Sequence, residues 1–302
     1  MKRTEPFEFY QPATLGEASR LLRENGPGGR FLAGGTDLVI AMKEKGLLPK
    51  YIVDLKRVPG LSGIRENNDG TITIGALSTM YVIETSPVIT KKYPFLAQSA
   101  AEVGSIQIRN RATIGGNMAN ATPSADVAPS LIALNATAKI VSTSGERTVP
   151  MEEFFRGPGQ NAMNADEILT EITIPRTGPQ LAGEYIKFSP RDMMDLAYIG
   201  VAVAYNLASD KKCSGVRIVL GAVAPTPIRA KNSEALLEGK VLTEELATQV
   251  GDEAARESKP ISDVRSSADY RRAMVAVMTK RAILNAPVGP AKSWVDRRDR
   301  RY

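Results

Sequence analysis

The chain has 302 residues, 43% of them hydrophobic and 24% charged, with a formal net charge of +6. That length suffices for two domains with their own cores, and no apolar run reaches the length that spans a bilayer. There is no histidine and one cysteine, Cys213, which excludes Ser-His-Asp and Cys-His catalysis, histidine-ligated zinc, a cofactor tethered through imidazole, a four-cysteine metal site and an intrachain disulfide.

Residues 1–10 contain no apolar segment of the signal-peptide kind, so a cytoplasmic protein is expected. Part of the positive charge lies at the other end, where Lys292, Arg297, Arg298, Arg300 and Arg301 are only partly offset by Asp296 and Asp299. Without interleaved aromatics or a nucleic-acid motif, residues 288–302 read as a solvated or partner-docking basic tail.

The elements follow in chain order. Thr14-Leu15-Gly16-Glu17 has capping-box spacing, and Leu15, Ala18, Leu21 and Leu22 share one face of the helix it starts. Gly26-Pro27-Gly28-Gly29 stops that helix. A strand over 30–33, a helix over 36–45 and a strand over 51–55 complete a small β-α-β-type unit. Thr71-Ile72-Thr73-Ile74 alternates as a half-buried strand does. Helical patterns cover 79–85 and 94–103, and 124–135 reads as a helix that Pro129 either kinks or starts early. Residues 138–142 and 168–174 read as strands. Pro175-Arg176-Thr177-Gly178-Pro179 marks a linker or sharp crossover. Strand-like runs at 184–188, 197–207 and 216–223 come next, then helices at about 231–238, 243–256 and 267–285. Strands followed by helices suggest an α+β domain with helices on one face of an antiparallel sheet.

Two segments carry paired glycines followed by small polar residues: Ala33-Gly34-Gly35-Thr36-Asp37-Leu38 and Thr113-Ile114-Gly115-Gly116-Asn117. Glycine lets backbone N–H groups approach an anion closely, and a helix starting at Thr36 would point its dipole at a phosphate. A tight turn explains either pair taken alone. Two of them flanking a β-rich segment suggest a pyrophosphate held from two sides, and composition leaves both readings open. Gly157-Pro158-Gly159-Gln160-Asn161-Ala162 matches G-x-G-x-x-A, but no convincing buried strand precedes it and Pro158 suits a turn, so it reads as a loop.

The order of these motifs resembles one family, the FAD-binding medium subunits of molybdenum hydroxylases. The resemblance covers almost the whole chain. It rests on Phe7-Glu8-Phe9-Tyr10-Gln11-Pro12, the 33–38 segment, and Gly104-Ser105-Ile106-Gln107-Ile108-Arg109-Asn110-Arg111-Ala112 running into 113–117. It continues through Asn120-Ala121-Thr122-Pro123-Ser124-Ala125-Asp126, Phe154-Phe155-Arg156-Gly157-Pro158-Gly159 and Asp166-Glu167-Ile168-Leu169-Thr170-Glu171-Ile172.

The resemblance implies an α+β fold. A two-subdomain FAD-binding domain of the PCMH type would cover 1–177, split into about 1–57 and 58–177. A C-terminal α+β domain with a three-stranded antiparallel sheet and helices would cover 178–287. It implies non-covalent FAD, with pyrophosphate segments at Phe31, Leu32 and Ala33 through Leu38 and at Thr113 through Asn117. Val103 and Asn120 also match cofactor-binding positions. Asp126 matches an aspartate near the sugar or ribityl hydroxyls, Leu169 a position packed on the cofactor, and Lys187 a lysine reaching it from the C-terminal domain. Near Met193-Met194-Asp195-Leu196-Ala197-Tyr198 the family brings a side chain over the flavin, and several members have Tyr where Leu196 aligns, so the residue covering the ring stays open. From the residues themselves, Asp126 could equally start a helix, Lys187 could be a surface lysine on a strand edge, and Leu169 could be core.

The implied partners are a large molybdenum-cofactor subunit and a small subunit with [2Fe–2S] clusters, in a dimer of heterotrimers. Electrons would leave to NAD, a quinone, oxygen or another acceptor. Some relatives carry an extra iron–sulfur cluster in this subunit, which one cysteine cannot support. The alternative is a stand-alone FAD-dependent reductase of the same broad fold, resembling the enolpyruvyl-UDP-N-acetylglucosamine reductases. A nucleotide-binding scaffold without activity is a more remote one.

Overall fold

The structure, a computed structural model, describes residues 5–191 and 193–286; the expected basic tail lies outside them. The chain opens with β1 (Glu8–Tyr10), α1 (Leu15–Asn25), β2 (Gly29–Leu32), α2 (Leu38–Glu44) and β3 (Tyr51–Asp54). Thr14 caps α1 by accepting from the Glu17 N–H, and Glu17 reaches back to the Ala13 N–H at 3.0 Å, one residue further than a capping box requires. The three strands form a parallel sheet in the order β1-β3-β2. Helix α2 begins at Leu38 rather than Thr36, because Thr36 and Asp37 form the turn that leads into it.

A second group follows: β4 (Ile64–Glu66), β5 (Ile72–Gly75), α3 (Met80–Thr85), α4 (Pro87–Lys92), α5 (Pro94–Ala101), α6 (Ile106–Arg109), α7 (Ile114–Asn120), α8 (Val127–Ala133), β6 (Thr137–Ser142), β7 (Gly145–Pro150), α9 (Met151–Phe154), β8 (Phe155–Gly157), β9 (Gln160–Asn161) and β10 (Ile168–Ile174). Pro129 sits in the first turn of α8, where its missing N–H costs no helical bond. The antiparallel sheet here has the order β4-β5-β10-β6-β7. The G-x-G-x-x-A segment is a small hairpin of β8 and β9, with Gly159 at φ +70° in its turn. Glu167, in the motif that leads into β10, is buried and takes Arg147 of β7 through two hydrogen bonds of 2.8 and 2.7 Å.

The third group is β11 (Leu181–Phe188), β12 (Ile199–Leu207), β13 (Cys213–Gly221), β14 (Ile228–Arg229), α10 (Lys231–Leu237), α11 (Glu244–Glu257) and α12 (Ala268–Asn285). The expected three antiparallel strands are joined by the two-residue β14 at the β13 edge. The sheet is covered on both faces. Val201, Val203, Tyr205, Ile218 and Leu220 pack with the α10–α12 helices, while Ala202, Ala204 and Val219 join the core of the preceding group. That double burial explains the near-continuous apolar run of β12. Helices α5 and α8 supply the second cover. Gly183 of β11 lets α5 approach: a Cβ there would lie 2.3 Å from the Phe95 ring. Among the described residues no helix is long and apolar enough to cross a membrane.

Candidate functional site

The two glycine segments are about 75 residues apart in the chain and touch in the fold. Gly34 lies against the backbone leading into α7, where a Cβ on it would come 2.0 Å from the Arg111 carbonyl oxygen. A Cβ on Gly116 would come 3.7 Å from the Ala33 side chain. Sheet order makes the first segment available, since Phe31 and Leu32 end β2 and the chain turns at Ala33 into α2. Gly35 has φ +80°, the one glycine of the four in the left-handed region.

The segments differ in what their backbones offer. Among the described residues, the N–H groups of Gly34, Gly35, Thr36, Asp37 and Leu38 donate to no protein acceptor. Five successive amides free of protein partners are available to donate to phosphate oxygens. The second segment is the first turn of a helix, and its donors are already taken. Ile114 donates to the Ser78 carbonyl at 3.0 Å, Gly115 to Ala76 at 2.8 Å, Gly116 to the Thr113 hydroxyl at 3.1 Å and Asn117 to the Thr113 carbonyl at 3.0 Å. Gly115 is glycine for packing, since a Cβ would lie 2.6 Å from that of Ala76. What this segment leaves over is the Asn117 side chain, whose Oδ1 is buried and bonds nothing among the described residues. A buried acceptor without a partner is uncommon. Together with the free amides of residues 34–38, this acceptor fits a group carrying both phosphate and hydroxyl functions. Asp37 is exposed, yet burial still raises its carboxyl above the ordinary range against the pull of Lys45.

Asp126 and Lys187 meet. The Lys187 ammonium donates to Asp126 Oδ2 at 3.0 Å and to the Glu102 carbonyl at 3.0 Å, with its side chain 4% exposed. Lys187 is therefore a buried, paired lysine, not a surface one. Asp126 does occupy the N-cap position of α8, but its side chain caps nothing there and turns to Lys187 and to the Tyr185 hydroxyl, 2.9 Å from Oδ1. Burial pushes its carboxyl up to about 6, against the opposing pull of Lys187 and the Tyr185 hydrogen bond.

The other expected residues are less concentrated. Val103 is half-buried and Asn120 exposed, its amide donating to the Thr122 hydroxyl at 2.9 Å. Leu169 is buried in the central core on β10, opposite Ile140. Leu196 is exposed, as are Met193 and Met194. The Met194 N–H donates to the Gly104 carbonyl at 3.2 Å, which holds this apolar stretch beside Val103, with Met194 itself at φ +57°. Sequence reasoning missed Tyr185 and the Glu102 carbonyl. The available signal was strand periodicity, since Tyr185 and Lys187 are two residues apart on β11 and share a face.

Comparison with known proteins accords with this geometry. Residues 5–177 match the family model described as FAD binding domain in molybdopterin dehydrogenase, and residues 184–286 match that of the CO dehydrogenase flavoprotein C-terminal domain. The carbon monoxide dehydrogenase medium chain of Hydrogenophaga pseudoflava is 35% identical over 92% of this chain and 96% of its own length. A putative xanthine dehydrogenase FAD-binding subunit of Escherichia coli K12 is 33% identical over 92% and 95%. A solved carbon monoxide dehydrogenase structure from Hydrogenophaga pseudoflava, one lacking the Mo-pyranopterin moiety of its molybdenum cofactor, superposes with a TM-score of 0.91 at 35% identity, over 94% of this chain and 98% of that one. The chain is an oxidoreductase subunit whose cofactor is FAD, and it belongs to the FAD-binding medium subunits of the molybdenum hydroxylase family.

Proposed function

We propose that this chain is the electron-transfer subunit of a cytoplasmic molybdenum hydroxylase. A large molybdenum-cofactor subunit oxidises the substrate, and a small [2Fe–2S] subunit relays electrons to the site described above. The observation that carries the proposal is the packing of Gly34 against the Arg111 backbone just before the second glycine segment, with five successive amides around Gly34 that donate to no protein acceptor. Bound FAD supplies a carrier that is filled by one-electron donors and emptied by a one- or two-electron acceptor. The protein's part is to bind and orient it. Gly34 to Leu38 hold the pyrophosphate by backbone amides. Thr113 to Asn117 form the opposing wall, where Asn117 supplies a buried carbonyl. Asp126 and Lys187 sit at the sugar or ribityl hydroxyls, and Val103, Leu169 and Leu196 make apolar contact. The cofactor is held without a covalent bond, a reading supported by the absence of any histidine to form the histidyl linkage. With one cysteine, this chain cannot build an iron–sulfur cluster, so the electron donor belongs to a partner. Residues 1–177 and 178–287 are then the FAD-binding and C-terminal domains.

Native mass spectrometry and metal analysis of the complex from its source test this. The expected assembly is a dimer of heterotrimers with molybdenum, iron and flavin. The isolated chain should show a flavin spectrum without iron or molybdenum, release the flavin on acid denaturation, and fail to oxidise a purine, an aldehyde or carbon monoxide. A stable lone monomer that turns over an organic substrate would overturn the proposal.

A further inference from the structure

The buried Asp126–Lys187 pair has a third member. Tyr185 donates to Asp126 Oδ1 while Lys187 donates to Oδ2, so one strand satisfies both oxygens of a carboxylate carried at the start of α8. The neighbouring strand makes room for this. Gly200 pairs with Lys187 across β11 and β12, and a Cβ there would lie 3.0 Å from the Tyr185 hydroxyl. On its other side Lys187 reaches the backbone of Glu102, just past α5. The cluster therefore ties α5, α8 and β11 together.

We propose that Tyr185 is a positioning residue of the cofactor site: by holding Oδ1 of Asp126 it keeps that carboxylate ionised and aimed at Lys187, and so fixes the Lys187 ammonium where FAD binds. The inference rests on the assignment of Asp126 and Lys187 to the cofactor site. A carboxylate buried this deeply is penalised for its charge, and each hydrogen bond donated to the charged form offsets the penalty. Lys187, Tyr185 and Glu102 are the charged or titratable groups that face it, Glu102 acting against ionisation. Strands β12 and β13, which also pack on α8, contribute Ala202 and Val219 to the common core. Its carboxyl, pushed up to about 6, is ionised at neutral pH by a narrow margin. Without the tyrosine hydroxyl that margin goes, and at neutral pH Lys187 faces a carboxyl that is protonated roughly half of the time.

The experiment is the FAD dissociation constant of the full chain, read by flavin fluorescence from pH 5.5 to 8.5, for the wild type, Tyr185→Phe, Gly200→Ala, Asp126→Asn and Lys187→Met. Wild-type affinity should fall as the pH drops through about 6. In Tyr185→Phe the midpoint should move up by about one pH unit, weakening FAD roughly fivefold at pH 6 and roughly twofold at pH 7, with no difference at pH 8.5. Gly200→Ala keeps the tyrosine but crowds its hydroxyl, so it should shift the profile the same way and decides the matter if Tyr185→Phe does not fold. An unshifted profile in the folded variants, or an equal loss at every pH, overturns the positioning role. Wild-type affinity in both Asp126→Asn and Lys187→Met at every pH would instead remove the two residues from the cofactor site.

Discussion

The Gly34 α-carbon faces the Arg111 carbonyl so closely that a methyl group on it would lie 2.0 Å from the oxygen. Backbone meets backbone at this point, so no side-chain rotation relieves the clash. Gly34→Ala should drive the 33–38 segment away from the start of α7 and lower bound flavin more than about tenfold, equivalent to ~1.4 kcal/mol of binding. The absorbance ratio at 450 and 280 nm of the purified protein reads this directly. Gly159→Ala is the control: its φ is +70° but the space around it is open, so it should cost about 1–2 kcal/mol of stability and leave flavin content unchanged.

Gly115 should behave differently from Gly34. Its Cβ would press on Ala76, side chain and carbonyl together, at 2.6 and 2.7 Å. Gly115→Val should therefore destabilise the apoprotein by about 3 kcal/mol or more through overpacking. Urea denaturation without flavin measures this. An apoprotein of unchanged stability that had lost only flavin would return Gly115 to direct phosphate contact.

Arg109 lies within the central motif, yet its work is internal. It is buried and bonds Glu84 of α3 at 2.7 Å through Nε. Arg109→Met should lower stability by about 2 kcal/mol, less than the ~3–5 kcal/mol of a fully buried pair because Glu84 keeps some contact with water. Thermal denaturation at matched flavin occupancy checks it.

Acid should act on two carboxyls in opposite directions. Asp126 has its folded value raised from 3.8 to about 6, so between those values the native state holds a proton that the unfolded chain releases. Its contribution to stability therefore falls as the pH rises from about 4 to 6. Glu167 is held below its usual range by the Arg147 hydrogen bonds, so its contribution is present above the ordinary glutamate value and is lost as the pH falls through the depressed one. Asp126→Asn should make the loss of stability with falling pH steeper than in the wild type between about 6 and 4, whereas Glu167→Gln should flatten the acid limb. Denaturation midpoints across that range distinguish the two.

Much of the fold was legible because burial leaves a period in the sequence. Helices α11 and α12 and strands β5 and β10 are found within two residues of the expected bounds. Strand β7 was invisible, since five of its six residues are exposed at a sheet edge and carry no apolar pattern. Strand β1 is three residues long and its pairing with β3 is distant in sequence. The glycine segments could be found, but not their division of labour. Whether an amide is free or taken depends on Ser78 and Ala76, which no local pattern links to residues 114 and 115. The Tyr185–Asp126 bond joins residues 59 apart and left no motif at all.

The position of β10 has a consequence for how the protein is made. It is the last strand of its sheet to leave the ribosome and the one that belongs in the middle, between β5 and β6. Until Ile168–Ile174 arrives, the β4–β5 and β6–β7 hairpins each present an open edge to solvent and to other nascent chains. Closing the sheet requires pairings across about a hundred residues on one side, which slows folding. A fragment ending before residue 168 leaves both hairpin edges open and should aggregate more readily than one ending after β10.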